Sequence, residues 1–441
     1  MSVDASNSWV DRRIHLIGVG GAGMSGLAWA AHKLGASVTG SDRSDSTYME
    51  RLRAAGIAVT VGHDSANVPD GAEIVVSTAI SEENPELAAA RESSLEVRHR
   101  SELLAEICSS RRQIAVAGTH GKTTTTGMLT FALRELGEDP SFFIGGELPG
   151  FGPGGEAANS GWGEGEWVVV EADESDGSFL TLNPEIALIT NIEMDHHARW
   201  ENLAELRGAF HDFAEKARAV VLPEADREMA AGLAAFDREI TPFNLSWPGP
   251  EELNLSVPGE HNRFNARAAI GALVAAGFGE DEAAGAFTGF TGVKRRQEFK
   301  GECAGARVYD DYAHHPTEVG AALAAIREFK PDRLIAVFQP HLYSRTKIFS
   351  QQFGAALARA DEIVVLDVYP AREKPVGPLE GVSGLDVLRA TADRAGGRPS
   401  YWAPDLDAAE RIVRSRATEG AIIATLGAGD VTKLSDRLVA S

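Results

Sequence analysis

The stretch AVAGTHGKTTTTGML, residues 115–129, runs from small and apolar residues into Gly118-Thr119-His120-Gly121-Lys122-Thr123 and on into a helix-compatible segment. A strand, a tight glycine turn and a helix form the layout that cradles phosphates on backbone N–H groups and a helix N-terminus. The strict P-loop pattern asks for a glycine five positions before Gly121, and Val116 stands there, so the turn is a variant of that loop. Lys122 is placed to neutralise transferring phosphate oxygens and Thr123 to reach Mg²⁺. Four consecutive threonines, Thr123 to Thr126, are poor helix formers, and their place at a helix start favours a functional loop over a glycine turn with an exposed lysine.

Two strand ends supply acids. WVVVEADESDGSF, residues 167–179, reads as a buried strand ending in Glu171, Asp173, Glu174 and Asp176. Carboxylates crowded at the end of an apolar strand repel one another unless a cation sits among them, and this set suits an Mg²⁺ that bridges nucleotide phosphates. IALITNIEMDHH, residues 186–197, repeats the arrangement with Asn191, Glu193, Asp195, His196 and His197, which suggests a second metal or a phosphate contact.

At 441 residues the chain exceeds one ordinary core, and 44% hydrophobic with 24% charged residues is the composition of a soluble globular protein. The first residues, MSVDASNSWVDRR, hold no apolar signal region, and no apolar run is long enough to span a bilayer. Cys108 and Cys303 stand far apart in no metal-ligand spacing and read as reduced thiols of a cytoplasmic protein. The net charge of −22 speaks against nucleic acid and anionic membrane as partners. An anionic substrate therefore needs a local cluster of cations.

Apolar runs alternate with helical patterns throughout, which predicts α/β architecture with parallel sheets in three blocks. The expected domains are residues 1–110, 111–296 and 297–441. The first holds Gly18-Val19-Gly20-Gly21-Ala22-Gly23 between the strand RIHLIG and a helix, with Asp42 ending the next strand. That is the dinucleotide fingerprint, open to NAD, to another diphosphate nucleotide, or to a tight turn that binds nothing. In the second block, residues 148–166 are glycine-rich and read as loop. HNRFNARAAI offers Asn262 and Asn265, either adenine-reading amides or a helix cap. VKRR, with Lys294, Arg295 and Arg296, marks the second boundary. In the third block YDDYAHHPTE, FQPHLYSRT and DVYPAREKP follow strands, so Asp311, Tyr312, His314, His315, His341, Arg345, Tyr369 and Arg372 fall on the carboxyl edge of a sheet. There Arg372 suits a carboxylate, and His314 or His315 suits proton transfer.

Taken in order, GTHGKTT, EADESDGSF, TNxExDH, HNxxNAxAAI, KRR, DDYxHHPTE, FQPHxYSRT and DxYPAREKP resemble the motifs of the Mur ligases, from Arg13 to about Leu434. The resemblance implies a Rossmann-like N-terminal domain for a UDP sugar, a central P-loop-type domain for ATP, and a Rossmann-like C-terminal domain for an incoming amino acid. It implies ATP and Mg²⁺ as cofactors, UDP-N-acetylmuramate and L-alanine as substrates, a cytoplasmic place in cell-wall precursor synthesis, and a monomer or homodimer. Gly18, Gly20, Gly21, Ala22, Gly23, Ser41 and Asp42 would hold the uridine diphosphate. Gly118, Thr119, His120, Gly121, Lys122, Thr123 and Thr124 would hold ATP, joined by Asn262, Asn265, Arg296 and Asp311. Thr123 and Glu171 or Glu174 match the first metal position and His196 the second. Tyr312, His315 and Arg372 match the amino-acid pocket. Three positions depart from the family pattern: Ala198 replaces the last acid of D-H-x-D, Gln297 replaces an aromatic after the arginines, and His211 stands where related ligases carry a carbamylated lysine. A ligase for a recovered peptide would share the first two domains. A nicotinamide oxidoreductase would leave the Lys122 loop unexplained, and a non-catalytic nucleotide-binding protein would bind ATP without turnover.

Overall fold

The structure is a computed structural model that describes residues 9–195, 199–249 and 253–440. Its apolar runs are continuous rather than alternating, as strands covered on both faces require, and they build three sheets. The first sheet contains β1 (Arg13–Ile17), β2 (Ser37–Asp42), β3 (Ala58–Val61), β4 (Glu73–Val76) and β5 (Val97–His99), in the order β3-β2-β1-β4-β5 with every pair parallel. The second contains β6 (Arg112–Ala117), β7 (Ser141–Leu148), β8 (Ala158–Gly161), β9 (Trp167–Glu171), β10 (Ile186–Ile189), β11 (Ala219–Pro223) and β12 (Glu239–Phe243), in the order β12-β11-β10-β6-β9-β7-β8. The third contains β13 (Glu298–Cys303), β14 (Ala306–Asp311), β15 (Arg333–Phe338), β16 (Glu362–Leu366), β17 (Ser400–Ala403) and β18 (Ala421–Leu426), in the order β13-β14-β18-β15-β16-β17.

The expected three-block α/β architecture is observed, one sheet per block. By internal contacts the chain groups into two compact units. One holds the residues up to Asn254 with Asn265–Thr288, and the other holds Leu255–Phe264 with Gly289 onward. The first two sheets share the first unit and a common core, in which Leu103 and Ile107 from the first block join Ala172, Phe179, Phe210 and Phe213 from the second. The third sheet is covered on both faces, by Leu323, Phe353 and Leu357 on one side and Val413, Leu434 and Leu438 on the other.

Three strands depart from the sequence reading. The glycine-rich segment 148–166 is not all loop: β8 lies within it and pairs antiparallel with Phe142 and Phe143 of β7. Its residues Ala158-Asn159-Ser160-Gly161 carry no apolar pattern because β8 is an edge strand whose backbone, rather than its side chains, makes the pairing. β13 (EFKGEC) and β17 (SYWA) likewise show no continuous apolar run. Both are edges of their sheet, where burial on two faces is not demanded.

Phe210, fully buried on the helix Leu203–Glu215, packs with ring centroids 5.3 Å from Phe179. Phe210→Ala is expected to lower the stability of the first unit by about 3–5 kcal/mol. The measurement is the urea midpoint, and a midpoint equal to that of the wild-type chain would contradict this packing.

Candidate active site

In the second sheet the chain leaves β6 toward β9 and β7 on one side, while β10 flanks it on the other. Ligands of open α/β sheets bind outside the carboxyl ends of strands at such a reversal. The Gly118–Lys122 turn follows β6 at this point, ahead of the helix Lys122–Glu135. Two of its glycines are obligatory. Gly118 has φ 129° and Gly121 φ 84°, a region that L side chains avoid. A methyl group on Gly118 would stand 2.1 Å from Thr190 Oγ1, and one on Gly121 2.5 Å from Asn265 Oδ1.

The strand end after β10 braces this turn. Asn191 Oδ1 accepts the His120 backbone N–H at 3.0 Å while its Nδ2 donates to the His120 carbonyl at 2.8 Å. The Thr190 hydroxyl donates to the same carbonyl at 2.6 Å. Thr119 Oγ1 exchanges hydrogen bonds with the Glu193 backbone, both at 2.9 Å, and the Glu193 carboxylate lies 3.0 Å from His120 Nε2. Glu193, expected at a second metal or a phosphate contact, thus holds the Gly118–Lys122 turn. Asp195 is buried beside it, and His196 lies outside the described residues.

Lys122 Nζ donates to the carbonyls of Gly118 (2.6 Å) and Thr119 (3.3 Å) and pairs with Glu174 Oε2 at 2.7 Å. An ammonium has three protons, and each has an acceptor here. Burial works against its charge, but Glu174, Asp173 and Glu171 outweigh burial and hold the Lys122 pKa above its ordinary value. Glu174 is 1% exposed. Removal from water, reinforced by Asp173, pushes it up to about 7 against the pull of Lys122. The cation that the acidic strand end called for is, in part, Lys122 itself. Glu171 takes another place: its Oε1 accepts from the Thr123 hydroxyl at 3.0 Å and its Oε2 from the Gly145 N–H at 2.6 Å. A hydroxyl and a carboxylate meeting at this turn are hard oxygen donors of the kind Mg²⁺ takes, so the residues fit that ion. Thr124 is buried in the first helical turn.

The glycine turn of the first sheet is closed in the same way. Gly20 N–H donates to Asp42 Oδ2 at 3.0 Å and Ser44 N–H to Oδ1 at 3.2 Å, so the expected ribose acid also fixes the turn. The helix Ala22–Leu34 starts from Gly21, and Gly23 lies in its first turn. Arg100 lies close by, since a methyl group on Gly23 would come within 3.2 Å of its Nη1. Arg100 stands outside the motifs that mark this edge in the sequence. Its signal was there: a cation opening a helix directly after β5, on the edge that carries the Gly18–Gly23 turn.

The second unit carries the remaining candidates. Tyr312 lies under two guanidinium groups, with Arg295 at 4.8 Å and Arg296 at 5.1 Å from its ring. Arg295 is tied to Asp310 at 3.2 Å. Asp311, raised to about 7 by burial, accepts the N–H groups of Gln297 (3.0 Å) and Ala313 (2.8 Å). Rings then follow along the edge: Tyr312 to His314 at 5.2 Å, His314 to His341 at 5.9 Å, and His341 stacked on Tyr369 at 5.8 Å. Arg345 Nη1 lies 3.4 Å from His341 Nδ1. Arg372 is exposed in the segment after β16. His315 is 2% exposed and caps the helix Pro316–Glu328, accepting from Thr317 N–H, with Glu318 returning a bond to its backbone. Asn262 donates to the Pro258 carbonyl at 2.6 Å, while Asn265 belongs to the first unit and reaches the Gly121 turn. In the first unit His211, at the position of the related lysine, packs edge-on to Phe236 and lies 3.9 Å from Glu215.

Three family models match the chain: "Mur ligase family, catalytic domain" over residues 13–112, "Mur ligase middle domain" over 116–246, and "Mur ligase, glutamate ligase domain" over 295–429. A UDP-N-acetylmuramate–L-alanine ligase from Thermobifida fusca is 41% identical, covering 97% of this chain and 96% of its own. The enzyme of that name from Streptomyces coelicolor is 43% identical, covering 97% of each. Among solved structures, the UDP-N-acetylmuramate-alanine ligase of Thermotoga maritima superposes with a TM-score of 0.78 at 28% identity over 97% of this chain and 98% of that one. A murein peptide ligase from Psychrobacter arcticus gives 0.67 at 26%, with the same coverage. With these matches running from the first glycine turn to the Tyr369 edge, the chain belongs to the Mur ligase family.

Proposed function

We propose that the chain is an ATP-dependent ligase that forms an amide between the lactyl carboxylate of UDP-N-acetylmuramate and L-alanine, a cytoplasmic step of peptidoglycan precursor synthesis. The observation that carries this reading is the braced Gly118–Lys122 turn with a buried lysine among carboxylates. The near-full-length identity of 41–43% to enzymes named for this reaction supports the substrates.

A carboxylate is a poor electrophile, and phosphorylation gives it a leaving group. The lactyl oxygen attacks the γ-phosphorus of ATP and ADP departs. The alanine nitrogen then attacks the acyl carbon and phosphate departs, the amine losing its proton on the way. Charge develops on phosphate oxygens in both steps, and Lys122 lies where it would offset that charge. A phosphate arriving at the turn competes with Glu174 for the ammonium. Mg²⁺, held by Thr123 and Glu171 with Glu174 close by, would neutralise the phosphates and orient the transferred group. The Gly118–Gly121 amides would hold the phosphates, and Asn265, with Asn262, the adenine. Arg296 and Asp311 would complete the nucleotide contacts, and His196 would serve a second metal. Gly18 to Gly23, Ser41, Asp42 and Arg100 would hold the sugar nucleotide. Tyr312, His315 and Arg372 would hold the amino acid.

The murein peptide ligase neighbour keeps a second reading open, in which a peptide replaces L-alanine. The two part in one assay. Phosphate release from ATP is expected to require both UDP-N-acetylmuramate and L-alanine. Release only with L-Ala-γ-D-Glu-meso-diaminopimelate would move the chain to the peptide-joining branch, and release with neither acceptor would remove the ligase reading. Lys122→Ala is expected to cut turnover by at least about a hundredfold. Its fold should persist, because Glu174, already raised to about 7, is able to take a proton when its partner is lost. Near-normal turnover would remove the role given to this lysine.

A further inference from the structure

Beneath the Ser41–Asp42 strand end lies a buried carboxylate that the family reading does not use. Glu86, in the first turn of the helix Pro85–Glu92, has no exposed surface. Its Oε2 accepts the Ser41 hydroxyl in a short hydrogen bond and lies 3.5 Å from His15 Nε2 and 3.4 Å from His63 Nδ1. Its Oε1 accepts from Asn67 Nδ2 at 2.7 Å and from the Asp64 N–H at 3.2 Å. One side chain therefore ties together the end of β2, the turn after β3 and the helix that follows β4. All three lie at the carboxyl edge where the Gly18–Gly23 turn stands. Burial alone would drive the proton onto Glu86, but the hydrogen bonds from His15, Ser41 and Asn67 outweigh it and hold the carboxyl down at about 2. The group is an anion in a dry site.

That anion decides where protons sit around it. A carboxylate only accepts, so the single Ser41 proton points at Glu86. Ser41 Oγ is also 3.0 Å from His63 Nδ1, and with its own proton committed it serves there only as an acceptor. His63 must therefore carry its proton on Nδ1. In its neutral form this leaves Nε2 as a lone pair on a ring whose side chain is 18% exposed. Nε2 is then an acceptor because the partners of Nδ1 are arranged around a negative charge.

We propose that Glu86 is a positioning residue of the nucleotide-sugar site: through Ser41 it fixes His63 with Nε2 as a hydrogen-bond acceptor, which selects a nucleobase carrying a ring N–H over one presenting a lone pair there. The inference rests on the nucleotide-sugar reading of this edge. It accounts for a buried ionised group that a merely structural turn would not need, since an apolar contact would close the same loops without the cost of desolvating a charge.

The test is Glu86→Gln in the full chain, assayed with UDP-N-acetylmuramate and with its cytidine diphosphate counterpart, whose base has a lone pair in place of the ring N–H. Wild-type turnover with the uridine compound establishes the underlying reading first; its absence would defeat that reading rather than this one. In the variant, KM for the uridine compound is expected to rise about tenfold, the cost of about one hydrogen bond. kcat and the KM for ATP should stay unchanged, and the preference for uridine over cytidine should narrow. The ¹⁵N–¹H correlations of the His63 ring should report loss of the Nδ1–H form. An unchanged uridine preference, or equal losses in every parameter, would overturn the proposal. Should Glu86→Gln fail to fold, Asn67→Ala leaves the carboxylate with its other donors and should show a smaller shift of the same kind in KM alone. No shift there would overturn the proposal as well.

Discussion

The ammonium of Lys122, held away from water among carboxylates, sets the terms for the rest of the active region. A charge so placed needs close acceptors, and it has Gly118 O, Thr119 O and Glu174. Those acceptors exist only because the turn is folded back on itself, which demands positive φ at Gly118 and Gly121 and leaves no room for a side chain at either. The folded turn is in turn held by Thr190, Asn191 and Glu193 from the neighbouring strand end. Loss of one partner from a buried pair usually costs about 3–5 kcal/mol. Here the raised pKa of Glu174 offers a cheaper route, because the carboxyl neutralises near physiological pH. The same property would suit the reaction proposed above, in which Glu174 would release Lys122 to an incoming phosphate and later take it back.

The two glycine turns of the first unit solve one problem in two ways. At Gly118–Lys122 the cation is part of the turn. At Gly18–Gly23 the turn is closed by Asp42, and the cation, Arg100, comes from the start of another helix. In a chain with a net charge of −22, anions are attracted only over short range, within roughly a Debye length of such local cations. Each turn keeps a cation within contact distance, which is what an acidic protein with an anionic substrate requires.

Much of this was legible in the sequence. The apolar runs of β6, β9 and β10 are long, continuous and followed by polar residues, so both the sheet and its functional edge could be read. The glycines and Lys122 were legible because few alternatives satisfy the turn. Partner choice was not. Glu171, Glu174 and Glu193 look alike as acids after strands, yet one takes a threonine, one a lysine, and one a histidine with a backbone. Distances of 2.7–3.0 Å between residues 48 to 73 positions apart decide this, and no local pattern encodes them. His315 is a different case. Its place ahead of Pro316 with Glu318 three residues on is a helix-start signature that could have been read as a cap. Edge strands such as β8 escaped because the backbone, not an apolar pattern, holds them.

The claim on which the mechanism turns is that a substrate carboxylate is activated as an acyl phosphate, and isotope transfer reads that step most directly. UDP-N-acetylmuramate labelled with heavy oxygen in its lactyl carboxylate is incubated with the enzyme, ATP, Mg²⁺ and L-alanine, and the released phosphate is weighed by mass spectrometry. One heavy oxygen atom is expected in each phosphate, because the oxygen that attacks ATP leaves with the phosphoryl group when the amine displaces it. Phosphate free of label alongside formation of the amide would contradict it.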